Sequence, residues 1–147
     1  MSDPIYRKEV LRLAADAAGA GRLGEPTSSA TAHNPACGDR VVIDLVVEGG
    51  RVAAIAHHTQ ACVLTQASAS ILGADLVGLD RDEVAALADS VRAMLKGGVP
   101  PMAPFNIYSI FDGVADHMGR HRCILLPLEA ALEAMDVSAL EPAKPGA

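Results

Sequence analysis

Three cysteines are the residues of this 147-residue chain best suited to chemistry: Cys37 in NPACGDR, Cys62 in ACVLTQASAS and Cys123 in RHRC. They number an odd three, lie 25 and 61 residues apart, and follow a start, MSDPIYRKEV, with neither the basic lead nor the apolar core of a secretory signal. A disulfide framework is therefore not expected, and the cysteines read as thiols. Single cysteines are most often small buried hydrophobes. Together with Asp39, two residues after Cys37, these three would offer a soft donor set with one harder ligand, suited to zinc or iron. There is no CxxC pair, so the spacing is not that of a zinc finger. Asp39, beside Gly38, reads by itself more readily as a turn cap than as a ligand. Residue types and spacing stop at a candidate three-thiol metal site.

The other polar candidates are weaker. His57 and His58 alternate across a predicted strand, so at most one can face the site, and both read as structural. His33 and His121 lie close in sequence to Cys37 and Cys123, which makes them candidates for hydrogen bonding to the ligands or for substitute ligation. His117 carries no signal. Ser68 and Ser70 lack a GxSxG elbow and an ordered acid–base partner, and helix packing by small residues explains ASAS better than a nucleophile does.

The elements that must position the thiols follow from periodicity and breakers. An opening helix is expected with Asp3 as N-cap, Pro4 at its first position, Tyr6, Val10, Leu13, Ala14 and Ala17 on one face, and Gly19 and Gly21 at its end. A loop rich in Gly, Ser, Thr and Pro, with a short edge strand near Ser29 to Ala32, delivers Cys37 on a turn. VVIDLVV and RVAAIAHHT flank Glu48-Gly49-Gly50 as a hairpin, with Val41, Ile43, Leu45 and Val47 on one face. A hairpin brings its ends together, so Cys37 and Cys62 should be neighbours at its open end.

Helices follow from about residue 64. Asp80 and Glu83 form a capping-box pair ahead of Val84, Leu87, Val91 and Leu95, and Gly97-Gly98 stops that helix. Ile107, Ile110, Phe111, Val114 and Met118 suggest another helix, closed by Gly119. Leu125, Leu128, Leu132 and Met135 mark the last, with Cys123 at its start and Pro127 near it. At a helix N-terminus, Arg120 and Arg122 would favour the thiolate of Cys123. Strands first and helices afterwards predict an α+β fold, a small antiparallel sheet with helices packed on one face. One domain is expected over residues 1–136, with 137–147 a disordered tail.

Composition excludes several function classes. Half the residues are apolar, yet charges interrupt every stretch long enough to span a membrane, so a soluble, cytoplasmic protein is expected. The formal net charge of −6, with no basic stripe, argues against nucleic acid as a partner.

NPACGDR, ACVLTQASAS and RHRC, together with the IYRKEVL opening and the hairpin between the first two cysteines, resemble the three-cysteine signature of the IscU, SufU and NifU scaffold family, from about Ile5 to Met135. The resemblance implies that fold, and a metal and cluster site on Cys37, Asp39, Cys62 and Cys123. The interval from Cys62 to Cys123 and the arginine-rich RHRC are similar to the SufU branch. Arg122 stands where IscU-type members carry histidine, Ala61 where a glycine usually precedes the second cysteine, Pro127 interrupts the final helix, and the LPPVK chaperone-binding segment is absent before Cys123.

The family implies a non-catalytic scaffold that receives sulfur from a cysteine desulfurase, builds a transient [2Fe-2S] cluster and passes it to apo-proteins. Cys123 is the favoured sulfur acceptor, with Cys62 and Cys37 as the other candidates. The alternative is a zinc-dependent sulfur acceptor, a sulfurtransferase that holds Zn2+ at rest and takes sulfur on Cys62 or Cys37. A monomer or weak homo-oligomer is expected.

Overall fold

The computed structural model describes residues 7–35, 38–114 and 117–140, with the backbone alone for Gly113, Ala139 and Leu140. Three strands, β1 (Ser28–Asn34), β2 (Asp39–Glu48) and β3 (Arg51–Gln60), form an antiparallel sheet in the order β1-β2-β3. Glu48 pairs with Arg51 around a two-residue turn, and both of its central residues have positive φ, 59° at Gly49 and 77° at Gly50. Glycine adopts that pair without strain, and the resulting twist matches the flanking strands. The register Ala30–Ile43–His57 and Ser28–Leu45–Ile55 places the β2 row Val41, Ile43 and Leu45, all fully buried, under the helices. The alternation has period two, so Asp39 ends that same row on the covered face.

The opposite face is also covered in part. Asp44, wholly buried, accepts from Arg22 Nε at 2.6 Å and Nη2 at 3.0 Å, from Leu23 N at 3.1 Å and from Ser29 Oγ at 2.5 Å. These bonds pin the chain before β1 across the outer side of the sheet. Burial raises the Asp44 pKa, but Arg22, Ser29 and the Leu23 amide outweigh it and leave the carboxyl below its ordinary value.

The helices are α1 (Lys8–Asp16), α2 (Val63–Asp75), α3 (Arg81–Leu95) and α4 (Met118–Leu140), with a 3-10 helix at Phe105–Val114. The expected Asp3 cap, Pro4 and Tyr6 lie outside the described residues, and α1 ends at Ala17 in the left-handed conformation, φ 45°. Gly19 and Gly73 make the close approach of that end to α2, since a Cβ on Gly19 would meet the Gly73 Cα at 2.8 Å. The Asp80–Glu83 capping box of α3 forms reciprocally, 2.8 Å and 3.1 Å. Leu64, Ala67, Ile71 and Leu72 of α2, and Ile124, Leu126, Leu128 and Ala131 of α4, are buried on nearly all sides, as central helices must be.

Two boundaries differ from expectation. The stretch from Phe105 to Val114 is a 3-10 helix, and Met118 and Gly119 open α4 rather than close the preceding element. Cys123 is therefore in the second turn of α4, beyond the reach of the N-terminal dipole invoked for it. The reason is tertiary: His121 bonds the Val114 carbonyl at 3.1 Å and ties the new first turn to the 3-10 helix. Pro127 falls at the tenth position of α4 and has no N–H to offer the carbonyl four residues back, that of Cys123. The helix continues to Leu140, four residues beyond Asp136; residues 141–147 lie outside the described ones.

Candidate metal centre

Asp39, Cys62 and Cys123 converge from three elements. Asp39 is the first residue of β2, Cys62 the N-cap of α2 just after β3, and Cys123 projects from α4 across the same end of the sheet. One ligand atom from each, the two Sγ and a carboxylate oxygen, lie within 4.8 Å of one another. A tetrahedral zinc with sulfur at about 2.3 Å needs ligand separations of about 3.8 Å, so a shift of about 1 Å or less closes the set on one ion. Two thiols and a carboxylate are the donors that zinc and iron favour, and the residues fit such a guest. Cys37 lies outside the described residues.

The site is enclosed on the Asp39 and Cys123 sides, 4% and 1% exposed, while Cys62 is half-buried. Asp39 Oδ1 accepts from Cys62 N at 3.2 Å, and Oδ2 accepts from Thr65 Oγ1 at 3.0 Å. Thr65 Oγ1 also lies 3.5 Å from Cys62 Sγ. The thiol of Cys62 is drawn down from the ordinary 9.0 to about 6. A hydrogen bond from Cys123 is the largest cause, Thr65 adds its hydroxyl and amide, and burial and the Asp39 charge oppose them. The helix-terminal cysteine is thus Cys62, where the sequence had suggested Cys123.

The remaining candidates separate from the site. Arg122 is exposed and donates to the His33 carbonyl at 3.4 Å, bridging α4 to the end of β1, and Arg120 is half-buried one turn before Cys123. His33 is exposed and His121 turns to the 3-10 helix, so neither joins the three-residue cluster. His57 faces the core, its Nε2 on the Ala18 carbonyl and its Nδ1 on Thr59 Oγ1, both at 2.9 Å; an acceptor carbonyl puts the proton on Nε2. A cavity of about 220 Å³ beside it, lined by Ala14, Ala17, His58 and Gln66, contains none of the three ligands.

Both ASAS serines are structural. Ser70 Oγ accepts from Ala18 N at 3.1 Å, and Ser68 Oγ donates to the Ile124 carbonyl at 2.7 Å. Thr65 was missed in the sequence; its signal was a hydroxyl three residues after a cysteine at a helix start, the third position of a capping box.

A profile of the NifU-like N-terminal domain matches residues 5–120. An iron-sulfur cluster assembly scaffold protein IscU of Thermotoga maritima is 24% identical over 131 residues, 89% of this chain and 92% of that one. A protein of the same description from Streptococcus pyogenes serotype M1 is 29% identical over 108 residues, 73% and 68% of the two chains. Among solved structures, a nitrogen-fixing NifU-like protein (N-terminal) from Brucella abortus superposes with a TM-score of 0.90 at 33% identity, covering 95% of this chain and 98% of that one. A putative iron-sulfur cluster assembly scaffold protein for the SUF system from Fervidobacterium islandicum AW-1 shares the fold, with a TM-score of 0.79 at 20% identity over 92% and 99% of the two chains. With its α+β architecture, its Asp39–Cys62–Cys123 cluster and a profile match over most of its length, the chain belongs to the NifU-like N-terminal domain family.

Proposed function

We propose that this protein is an iron-sulfur cluster assembly scaffold, which assembles a [2Fe-2S] cluster on Cys37, Asp39, Cys62 and Cys123 and hands it to apo-proteins in the cytoplasm. The observation that carries this reading is the convergence of two thiols and a buried carboxylate within 4.8 Å. Chain connectivity keeps Cys37 within two residues of Asp39, a reach of about 7 Å, so it can supply the fourth donor. The relatives described as IscU scaffolds support the same reading. No helix among the described residues is long and apolar enough to cross a membrane.

Sulfur comes from a cysteine desulfurase. A scaffold thiolate attacks the outer sulfur of the donor persulfide, the donor S–S bond breaks, and the donor cysteine leaves as thiolate; two electrons from a reducing partner protein then cleave the scaffold persulfide, giving the sulfide of the cluster and returning the scaffold thiolate. Of the two described thiols, Cys62 suits this step: it is half-exposed and held toward thiolate, whereas Cys123 is buried. Cys123 then acts as hydrogen-bond donor to Cys62 in the empty site and as ligand in the loaded one. Asp39 is the hard, exchangeable ligand through which an acceptor thiolate enters the coordination shell.

The accessible Cys62 also favours a second reading, a zinc-bound sulfur acceptor in which Cys62 leaves the metal to take sulfur. Iron, zinc and acid-labile sulfide analysis of protein purified without oxygen tests the first reading, and iron with sulfide in equal amounts is the expected result. Zinc without sulfide points to the second. Metal retained after Cys37, Cys62 and Cys123 are each changed to Ser refutes both.

A further inference from the structure

We infer that Thr65 is the positioning residue of the metal site, a hydroxyl that sets how Asp39 and Cys62 present themselves to the metal. The inference rests on the reading of Asp39, Cys62 and Cys123 as ligands and assigns a role to a residue outside that set.

Thr65 has no exposed surface and stands at the third position of α2, one turn after the N-cap Cys62. A buried helical threonine ordinarily satisfies its hydroxyl on the carbonyl three or four residues back. Here the hydroxyl donates instead to Asp39 Oδ2, 26 residues upstream, at 3.0 Å. The Cys62 carbonyl, three residues back, takes the Gln66 amide at 3.0 Å. Its β-branched side chain is stiff about χ1, so the oxygen is held in one place.

A carboxylate on a single hydrogen bond can still rotate about its last torsion. With Oδ1 held by the Cys62 amide and Oδ2 by Thr65, that rotation is stopped. The arrangement favours one oxygen on the ion and disfavours a bidentate carboxylate, which would pull Oδ2 away from Thr65.

The same hydroxyl lies 3.5 Å from Cys62 Sγ and has one hydrogen for two anionic acceptors. The shorter contact is to Asp39, so the carboxylate takes the larger share of that hydrogen and the thiolate the smaller, which leaves the carboxylate the weaker ligand of the two. That is the order an exchangeable Asp39 requires. Losing the hydroxyl removes a charge-assisted bond inside a closed site and frees the carboxylate to swing.

The test uses the metal-free full chain and Co2+ alone as the probe, with affinity from competition against a chelator and coordination from the ligand-field absorption bands. Thr65→Val should weaken Co2+ binding by about 10–100-fold, the usual effect of removing a partner that orients a ligand. It should also reduce the bands that report four-coordination, a change that loss of packing alone does not produce. Thr65→Ser, which restores the hydroxyl, should recover both. In the Asp39→Ala background Thr65→Val should cost clearly less than in wild type, because the two residues act on one ligand.

Wild-type affinity and spectrum in Thr65→Val, with Asp39→Ala impaired, overturns the role of Thr65 and leaves the metal-site reading standing. Fully additive losses from Thr65→Val and Asp39→Ala also overturn it. Unimpaired Co2+ binding by Asp39→Ala overturns the ligand reading and the inference with it. Should Thr65→Val fold poorly by melting, Thr65→Ala read against Thr65→Ser carries the same comparison.

Discussion

Ser68 should be worth more to this protein than its size suggests. It is fully buried, its Oγ lies 3.1 Å from the hydroxyl of Tyr108 and donates to the Ile124 carbonyl at 2.7 Å, and it thereby joins α2, the 3-10 helix and α4. Because Ser68 gives its hydrogen to Ile124, Tyr108 must donate to Ser68; burial pushes the Tyr108 pKa up, against the Ser68 hydrogen bond, and keeps that donor protonated. Among the described residues no buried side-chain polar atom lacks a partner, so Ser68→Ala breaks a satisfied network.

The cost has two parts. An unsatisfied Tyr108 hydroxyl at a fully buried position costs about 1–3 kcal/mol, and the lost bond to Ile124 about 1 kcal/mol. A total of about 2–4 kcal/mol lowers Tm by about 4–16 °C in a chain of this length. Ser68→Ala/Tyr108→Phe removes both hydroxyls together, and should recover most of the loss because no buried donor is left orphaned. The assay is thermal and urea unfolding of metal-free protein, which keeps metal linkage out of the comparison. A Ser68→Ala protein that melts with wild type, or a double variant no better than the single one, refutes the reasoning. The hydroxyl of Ser68 bonds Tyr108 and the Ile124 carbonyl, so a folded Ser68→Ala should still bind Co2+ within a few-fold of wild type.

Four further outcomes are expected. Stability of the metal-free protein should fall with acid in three stages, because Cys62, His57, buried and beside His58 though raised in part by Ala18, and Asp44 all have folded pKa values below their unfolded ones. The unfolded state then binds more protons, so the Cys62 contribution is lost as pH drops from the ordinary 9.0 to about 6, that of His57 below the ordinary 6.5 and that of Asp44 below 3.8; Cys62→Ser should flatten the first stage and His57→Gln the second, and urea midpoints against pH check it. Peptide-resolved alkylation of metal-free protein should label Cys62 at least about tenfold faster than Cys123, with bound metal protecting both, and equal rates would remove Cys62 as the accessible thiol. Arg120→Glu/Arg122→Glu should slow uptake of labelled sulfur from a cysteine desulfurase by about tenfold at low salt, with the gap narrowing as salt rises; an unchanged rate removes the docking role from that basic turn. Metal at about 100 times its Kd should add about 2.7 kcal/mol of stability, and a Tm unaffected by chelation, on protein shown to have lost its metal, contradicts that linkage.

The sequence by itself determined the sheet and the positions that could ligate. Alternation in Val41, Ile43 and Leu45 selected the covered face, and the same period carried Asp39 onto it; Gly49-Gly50 dictated the turn, and Asp80 with Glu83 the start of α3. These are local signals, each a residue type matched to one backbone state. Tertiary structure decided the rest. Apolar residues three or four apart suit a 3-10 and an α-helix alike, so Phe105–Val114 and the start of α4 were settled by packing and by the bond from His121 to Val114. That one shift moved Cys123 from a helix terminus into a buried second turn and left the N-terminal position to Cys62. The contact of Thr65 with Asp39 spans 26 residues and exists only because the pairing of β2 with β3 delivers the first turn of α2 beside the start of β2, a proximity that no local pattern encodes.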